Sequence, residues 1–206
     1  MRVNRLRREN IQFAEKDQAL RSDVHMLGVL IGDLIKEQGG QKLYDFVENA
    51  RLTAIENRNQ DVSDNPTLKD LLKNLEPVFA MEVIRSFSTY FQMANTAEKV
   101  HRIRRRRAYT QDPGQYQPGG MEETLVKLKA NDINIEELER LFKSILIQPV
   151  FTAHPTEPTR RTILQKEQRI VRQLIEMLNP TMTLQEKTVC MENIKLEIST
   201  AWQTQE

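Results

Sequence analysis

At 206 residues the chain is long enough for one packed domain with a helical extension. Its 30 Lys and Arg against 29 Asp and Glu leave a formal net charge of +1, so no global field draws it to nucleic acid or to a membrane surface. A single cysteine, Cys190, excludes an intramolecular disulfide and fits a reducing compartment. No apolar run approaches the roughly 18 residues of a membrane span.

Residues Met1 to Lys16 are charged and weakly patterned, without the apolar core of a secretion signal, and read as a lead-in to a cytoplasmic protein. From Asp17 a helical period begins. Leu20, Val24, Leu27, Ile31, Leu34 and Ile35 fall on one face, and Gly39-Gly40 ends the helix because glycine reaches the left-handed region at low cost. A second helix follows with Leu43, Phe46, Val47, Ala50 and Ala54 inward, and the short connection predicts an antiparallel pair. His25 lies beside the first apolar face, where local packing is its expected role. Asn57 to Asp64 is a polar linker, and Asn65-Pro66 is a cap followed by proline in a first helical turn. Leu68, Leu71, Leu72 and Leu75 mark a short helix. Pro77 opens a long one, with Val78, Met81, Ile84, Phe87, Phe91 and Ala94 predicted to face inward.

That long helix ends in Arg102-Ile103-Arg104-Arg105-Arg106-Arg107. Alone, the run suggests a nucleic-acid or phosphate patch. Against it, the run holds no aromatic residue to stack on bases, neighbouring acidic residues cancel its charge, and arginines in a last helical turn suit the macrodipole. A structural or anion-pairing role is preferred over nucleic acid. His101, at the start of the run, is expected to pack or hydrogen-bond locally. Tyr109 to Gly120 carries two prolines and three glycines, which no regular element tolerates, and reads as a flexible surface loop. Leu125 and Leu128 face inward on a short helix broken at Asn131-Asp132. Glu136 to Leu146 then presents Leu138, Leu141, Phe142, Ile145 and Leu146 as a buried face.

Pro149 stops that helix and releases the chain into the most constrained stretch of the sequence, Pro149 to Thr162. Val150 and Phe151 favour an extended chain. Pro155 and Pro158 push His154 and Glu157 out of the helical region. Thr159 can cap a helix that carries Arg160 and Arg161 in its first turn. A histidine at the end of a strand, facing a helix start with two guanidinium groups, suits anionic oxygens and a proton in transit. The alternative is a hydrogen-bonded structural histidine, with the arginines in surface ion pairs. After the motif, Ile163, Leu164, Ile170, Val171, Leu174, Ile175 and Leu178 mark a helix ending at Asn179-Pro180. Thr183-Leu184-Gln185-Glu186 is then a capping box for the last helix.

The string Phe151-Thr152-Ala153-His154-Pro155-Thr156-Glu157, followed by Arg160-Arg161-Thr162, resembles the N-terminal active-site motif of the phosphoenolpyruvate carboxylases. Leu20 to Gly28 resembles the family's opening helix, and Phe87 to Glu98 its helix bearing an Asn-x-Ala-Glu element. Ala201-Trp202-Gln203-Thr204-Gln205-Glu206 resembles a segment written Leu-Trp-x-Thr-Asp-Glu, with Ala201 and Gln205 as departures. The resemblance covers nearly the whole chain, yet the family's proteins are several times longer. A sequence that stops at Glu206, on a helix without a terminator, is expected of a piece of such a protein.

The resemblance implies a mainly α fold: the helical N-terminal part of a larger α/β enzyme of the TIM-barrel type, with about one strand, at 149–154. The expected divisions are an N-terminal helical region over 1–108, the loop over 109–120, and helices flanking the active-site strand over 121–206. One strand cannot make a barrel. It further implies carboxylation of phosphoenolpyruvate by bicarbonate to oxaloacetate and phosphate. Mg²⁺ or Mn²⁺ would be held by carboxylates of a later region, with no metal site in this chain, and the complete protein would be a homo-oligomer, a tetramer. His154 would be the catalytic residue, managing the proton and charge of carboxyphosphate. Arg160 and Arg161 match an arginine pair that in plant members forms part of an activator site for sugar phosphate. By itself the chain would be inactive, since the metal ligands, further substrate arginines and a mobile glycine-rich loop belong to later regions. The alternative is a non-catalytic helical module, derived from such an enzyme, that binds a partner or an anion. Nucleic acid and membranes are not expected partners.

Overall fold

The computed structural model describes residues 14–59, 68–112, 114–151 and 160–204. The lead-in before residue 14, the Asn65-Pro66 cap and the motif positions 152–159 lie outside the described residues. Among the described residues the regular elements are all helical: a 3₁₀ turn at Glu15–Asp17, then α1 (Gln18–Asn59), α2 (Leu68–Leu72), α3 (Pro77–Gln111), α4 (Met121–Ala130), α5 (Ile135–Ser144), α6 (Arg161–Glu176) and α7 (Leu184–Thr204). They fall into two compact units. The first takes the chain up to His101 and again from Arg161, and the second takes residues 102–160.

In the first unit the break expected at the glycine pair is present inside α1, where Gly40 has φ 80° and ψ 170°. Positive φ at this point would strain any residue with a β-carbon. The second arm of α1 turns back on the first. The Tyr44 ring packs so closely on Gly32 that a β-carbon there would meet it at 3.3 Å, and the Lys36 ammonium lies 4.0 Å from the same ring. Leu27, Ile31, Leu34 and Ile35 of the first arm and Leu43 of the second are buried, as their periodicity predicts. Ile170 and Leu174 of α6 join Ile194, Ile198 and Trp202 of α7 in the same core.

The helices of this unit are tied at their edges. The α6–α7 turn is an Asx turn in which Asn179 Oδ1 accepts from the Thr181 N–H at 3.1 Å. At the start of α7 the expected capping box is formed: the Glu186 carboxylate accepts from the Thr183 N–H at 2.7 Å, and the Glu186 N–H reaches Thr183 Oγ1 at 3.3 Å. Lys195 of α7 pairs with Glu37 of α1 at 2.7 Å, and Gln38 donates to Ser199 Oγ at 2.7 Å. Pro77 opens α3 as predicted, with the Glu76 carboxylate accepting from the Val78 and Phe79 N–H groups at 3.2 and 3.1 Å.

The buried face of α3 is largely not the one predicted, although Phe87, expected inward, packs partly buried against the core. Val83, Ser86, Thr89, Met93, Thr96, Ala97 and Val100 point into the core, whereas Val78, Met81, Ile84 and Phe91 are exposed. Apolar periodicity marks both sides of this helix. The inward one can be buried because its hydroxyls are satisfied within the helix. Ser86, Thr89 and Thr96 donate to the carbonyls of Glu82, Arg85 and Gln92 at 2.8, 2.9 and 2.8 Å, so small polar residues can be buried without outside partners. His25, expected to pack locally, is exposed.

In the second unit, α4 ends at Asn131-Asp132 as expected, with Asp132 at φ 57°. Asn134 then caps α5 by a reciprocal box, Glu137 N–H to Asn134 Oδ1 at 2.8 Å and Asn134 N–H to Glu137 Oε2 at 3.1 Å. Leu125, Leu128, Ile133, Ile135 and Leu138 line a shallow apolar groove between the two helices. The buried face expected on α5 is absent: Leu141, Phe142, Ile145 and Leu146 are exposed, and no residue of the helix is buried. Among the described residues of the unit nothing covers this side of α5.

Candidate active-site segment

The approach to the motif starts where α5 ends. Ile145 leaves the helix with φ −71° and ψ 121°, and residues 145–151 run on without joining a helix or a sheet. The described part of the expected strand, 149–151, is therefore not a strand here, because no strand among the described residues supplies the ladder hydrogen bonds that define one. Leu146, Ile147, Val150 and Phe151 are all exposed, Phe151 to 92%. Apolar side chains alternating to both sides of an extended segment are the pattern of a strand buried on both faces.

His154 lies outside the described residues, as do Thr152, Thr156, Glu157 and Thr159. Arg160 and Arg161 are both described and both exposed. Arg160 stands just before α6, and Arg161 is its first residue. The first turn of α6 holds no acidic residue. A guanidinium at the positive end of a helix dipole is disfavoured unless an anion sits between them, so this corner is chemically suited to phosphate or carboxylate oxygens.

The other ionisable groups singled out by sequence take structural positions. His101 is buried, with Nε2 3.5 Å from an Asp17 carboxylate oxygen, in keeping with the local role expected of it. In the basic run, Arg105 donates to the Tyr109 hydroxyl and lies 5.5 Å from that ring, while Arg102, Arg106 and Arg107 are exposed. Cys190 is buried with its sulfur 3.9 Å from a Glu176 oxygen; burial first and that carboxylate second push the thiol's pKa up, which suppresses the reactive thiolate. The Lys127 ammonium, and after it the Gly119 N–H, hold the Glu123 carboxyl below the usual range. Among the described residues no three His, Cys, Asp or Glu side chains converge where a cation could sit. No described helix is long and apolar enough to cross a membrane.

Sequence reading passed over one partly buried acidic group. Glu167 of α6 receives the Lys99 ammonium at 2.5 Å and lies 3.4 Å from Thr96 Oγ1, so it fastens α6 to α3. Only the spacing of Thr96 and Lys99 on one side of α3 hinted at a partner there.

The described flanks of the histidine motif thus present an apolar lead-in and two exposed arginines at a helix start. Against known proteins, the family profile described as phosphoenolpyruvate carboxylase matches residues 20–206. The chain belongs to the phosphoenolpyruvate carboxylase family. It is 42% identical over 201 residues to the phosphoenolpyruvate carboxylase of Xanthomonas oryzae pv. oryzae, covering 96% of this chain and 22% of that protein. It is 38% identical over 191 residues to the carboxylase of Nitrosomonas eutropha, and 34% identical over 188 residues to that of Alcanivorax borkumensis. In these two it spans 20% and 21% of the relative's length while 92% and 91% of its own is matched. The chain therefore spans about a fifth of the curated carboxylases it matches, and its helical architecture is that of a segment of the family.

Proposed function

We propose that this chain is the N-terminal portion of a phosphoenolpyruvate carboxylase, which joins bicarbonate to phosphoenolpyruvate and releases oxaloacetate and phosphate. The observation that carries the reading is the 42% identity over nearly all of this chain but only 22% of the relative. The exposed lead-in at Leu146–Phe151 supports it, because a segment apolar on both faces requires further strands beside it.

In this reading His154 is the catalytic residue. Bicarbonate attacks the phosphoryl group, giving carboxyphosphate and the enolate of pyruvate; carboxyphosphate then releases carbon dioxide, which the enolate captures. An imidazole that gains and loses a proton near neutral pH suits the proton and charge traffic of carboxyphosphate. A divalent cation, Mg²⁺ or Mn²⁺, held by the remainder of the enzyme, would supply positive charge for two anionic reactants. Arg160 and Arg161 serve as an anion-binding pair, with sugar phosphate as the activator to test. The complete enzyme is expected to be a cytoplasmic homo-oligomer, a tetramer, and the chain alone to be inactive.

The test is a full-length chimera in which this chain replaces the matched segment of the Xanthomonas oryzae carboxylase, assayed for oxaloacetate. The chimera should turn over, and His154→Ala should lower kcat by about 10²-fold or more. The isolated chain should show no turnover. Oxaloacetate formation by the isolated chain, abolished by His154→Ala, would refute the assignment of inactivity. An active chimera indifferent to His154→Ala would refute the role of His154.

A further inference from the structure

The outward side of α3 in the first unit is an apolar surface that the motif chemistry does not use. Met81, Ile84 and Phe91 follow one another at spacings of three and seven residues, lie on one side of the helix, and are 64%, 67% and 60% exposed. Phe87 borders them with its ring centroid 6.5 Å from that of Phe91. Arg85, the cation beside this side, is turned over the Trp202 ring at 5.8 Å. The inward side is already filled by Val83, Met93 and Val100, so the outward residues are not displaced members of the core. Three large apolar side chains about two-thirds exposed make a patch on the order of 300 Å², comparable with the largest apolar patch on a typical monomer, which often has a function.

Length and area together indicate what covers it. The chain spans 22% of a relative that matches 96% of it, so most of a carboxylase lies beyond what is seen here. A second copy is a poor occupant, because a stable interface between separate molecules needs about 800 Å² from each partner. A covalently continuous partner needs far less, since its effective concentration is already high. We propose that the outward side of α3 is a docking surface for the remainder of the carboxylase chain, buried when the enzyme is complete. The proposal rests on the reading of this chain as the N-terminal portion of that enzyme. It explains why α3 carries apolar periodicity on two sides: one closes this unit, and the other is reserved for a neighbour.

Methionine oxidation reads the surface directly, because a thioether is oxidised at a rate set by its exposure. Dilute hydrogen peroxide followed by peptide mass spectrometry should oxidise Met81 quickly in the isolated chain and at least tenfold more slowly in the full-length chimera. Met93, 1% exposed on the inward side, should react slowly in both. The double variant Ile84→Glu/Phe91→Glu should leave the melting temperature of the isolated chain nearly unchanged and lower that of the chimera measurably. Equal Met81 rates in the two proteins would overturn the proposal. So would Met81 protection in the isolated chain that grows with concentration, which would identify a second copy as the occupant. A chimera that precipitates while the parent relative stays soluble would also overturn it, since the surface would then not fit the remainder. Activity separates the two ideas: an active chimera with unprotected Met81 removes only the docking surface, and a folded, inactive chimera with protected Met81 removes only the catalytic reading.

Discussion

Two methionines on α3 offer a direct test of which way that helix faces. Met93 is 1% exposed and Met81 is 64% exposed, so truncating each to alanine changes the same side chain on the same helix in opposite surroundings. At Met93 the loss of three heavy atoms forfeits about 2 kcal/mol of transfer free energy at roughly 0.8 kcal/mol per methylene. An unfilled volume on the order of 50 Å³ adds about 1 kcal/mol at roughly 24 cal/mol per Å³. The expected cost of Met93→Ala is therefore roughly 3 kcal/mol, within the usual range for a buried methionine. At Met81 only about a third of the transfer energy is at stake, and alanine's slightly better helix propensity offsets part of it, so the change should stay within about 0.5 kcal/mol. Urea unfolding of the isolated chain, followed by far-ultraviolet circular dichroism, measures both. With a slope of about 2 kcal/mol per molar, Met93→Ala should lower the midpoint by roughly 1.5 M and Met81→Ala by less than about 0.3 M at unchanged slope. Equal shifts, or a larger one at Met81, would mean that α3 is turned with Met81, Ile84 and Phe91 inside.

Three further outcomes are expected. Gly40→Ala should destabilise the first unit by about 1–2 kcal/mol in thermal unfolding, because φ 80° is costly for a β-carbon even though nothing lies within 4 Å to clash with it; a neutral result would mean that the α1 hairpin does not depend on this backbone geometry. The Thr183 N–H, and after it the Thr183 hydroxyl, hold the Glu186 carboxyl below its ordinary value. Its stabilisation is thus fully present above about pH 4.5 and lost as pH falls through the lowered folded value, so Glu186→Gln should flatten the acid limb of a stability–pH curve and leave its alkaline limb unmoved. Cys190 should resist iodoacetamide in the folded chain at pH 8 and react promptly in urea; fast labelling without denaturant would contradict its burial beside Glu176.

Local chemistry was readable along most of the chain because its causes lie within a few residues. Gly40 breaks α1, Pro77 opens α3 and Thr183 with Glu186 opens α7, each through backbone groups close by in sequence. The faces of the first arm of α1 and of α6 were readable too, since each of those helices has one dominant apolar side. On α3 and α5 the same rule misled, for related reasons. α3 has apolar residues on two sides, and the core took the one whose serine and threonines bond to their own helix. The apolar residues of α5 lack a covering layer among the described residues of the second unit. Periodicity states that a side chain is suited to burial, not what buries it.

The candidate site divides in the same way. The motif around His154 was recognisable from its residues and their order, through their resemblance to a family motif. The exposure of Arg160 and Arg161, the withdrawal of His101 and Cys190 into packed positions, and the bond from Lys99 to Glu167 across 68 residues were settled only by tertiary structure. Sequence determined where helices begin, break and end, since those events depend on backbone conformations and caps a few residues apart. Tertiary structure decided which apolar faces meet and which stay open, since that depends on partners distant in the chain and on the space they leave.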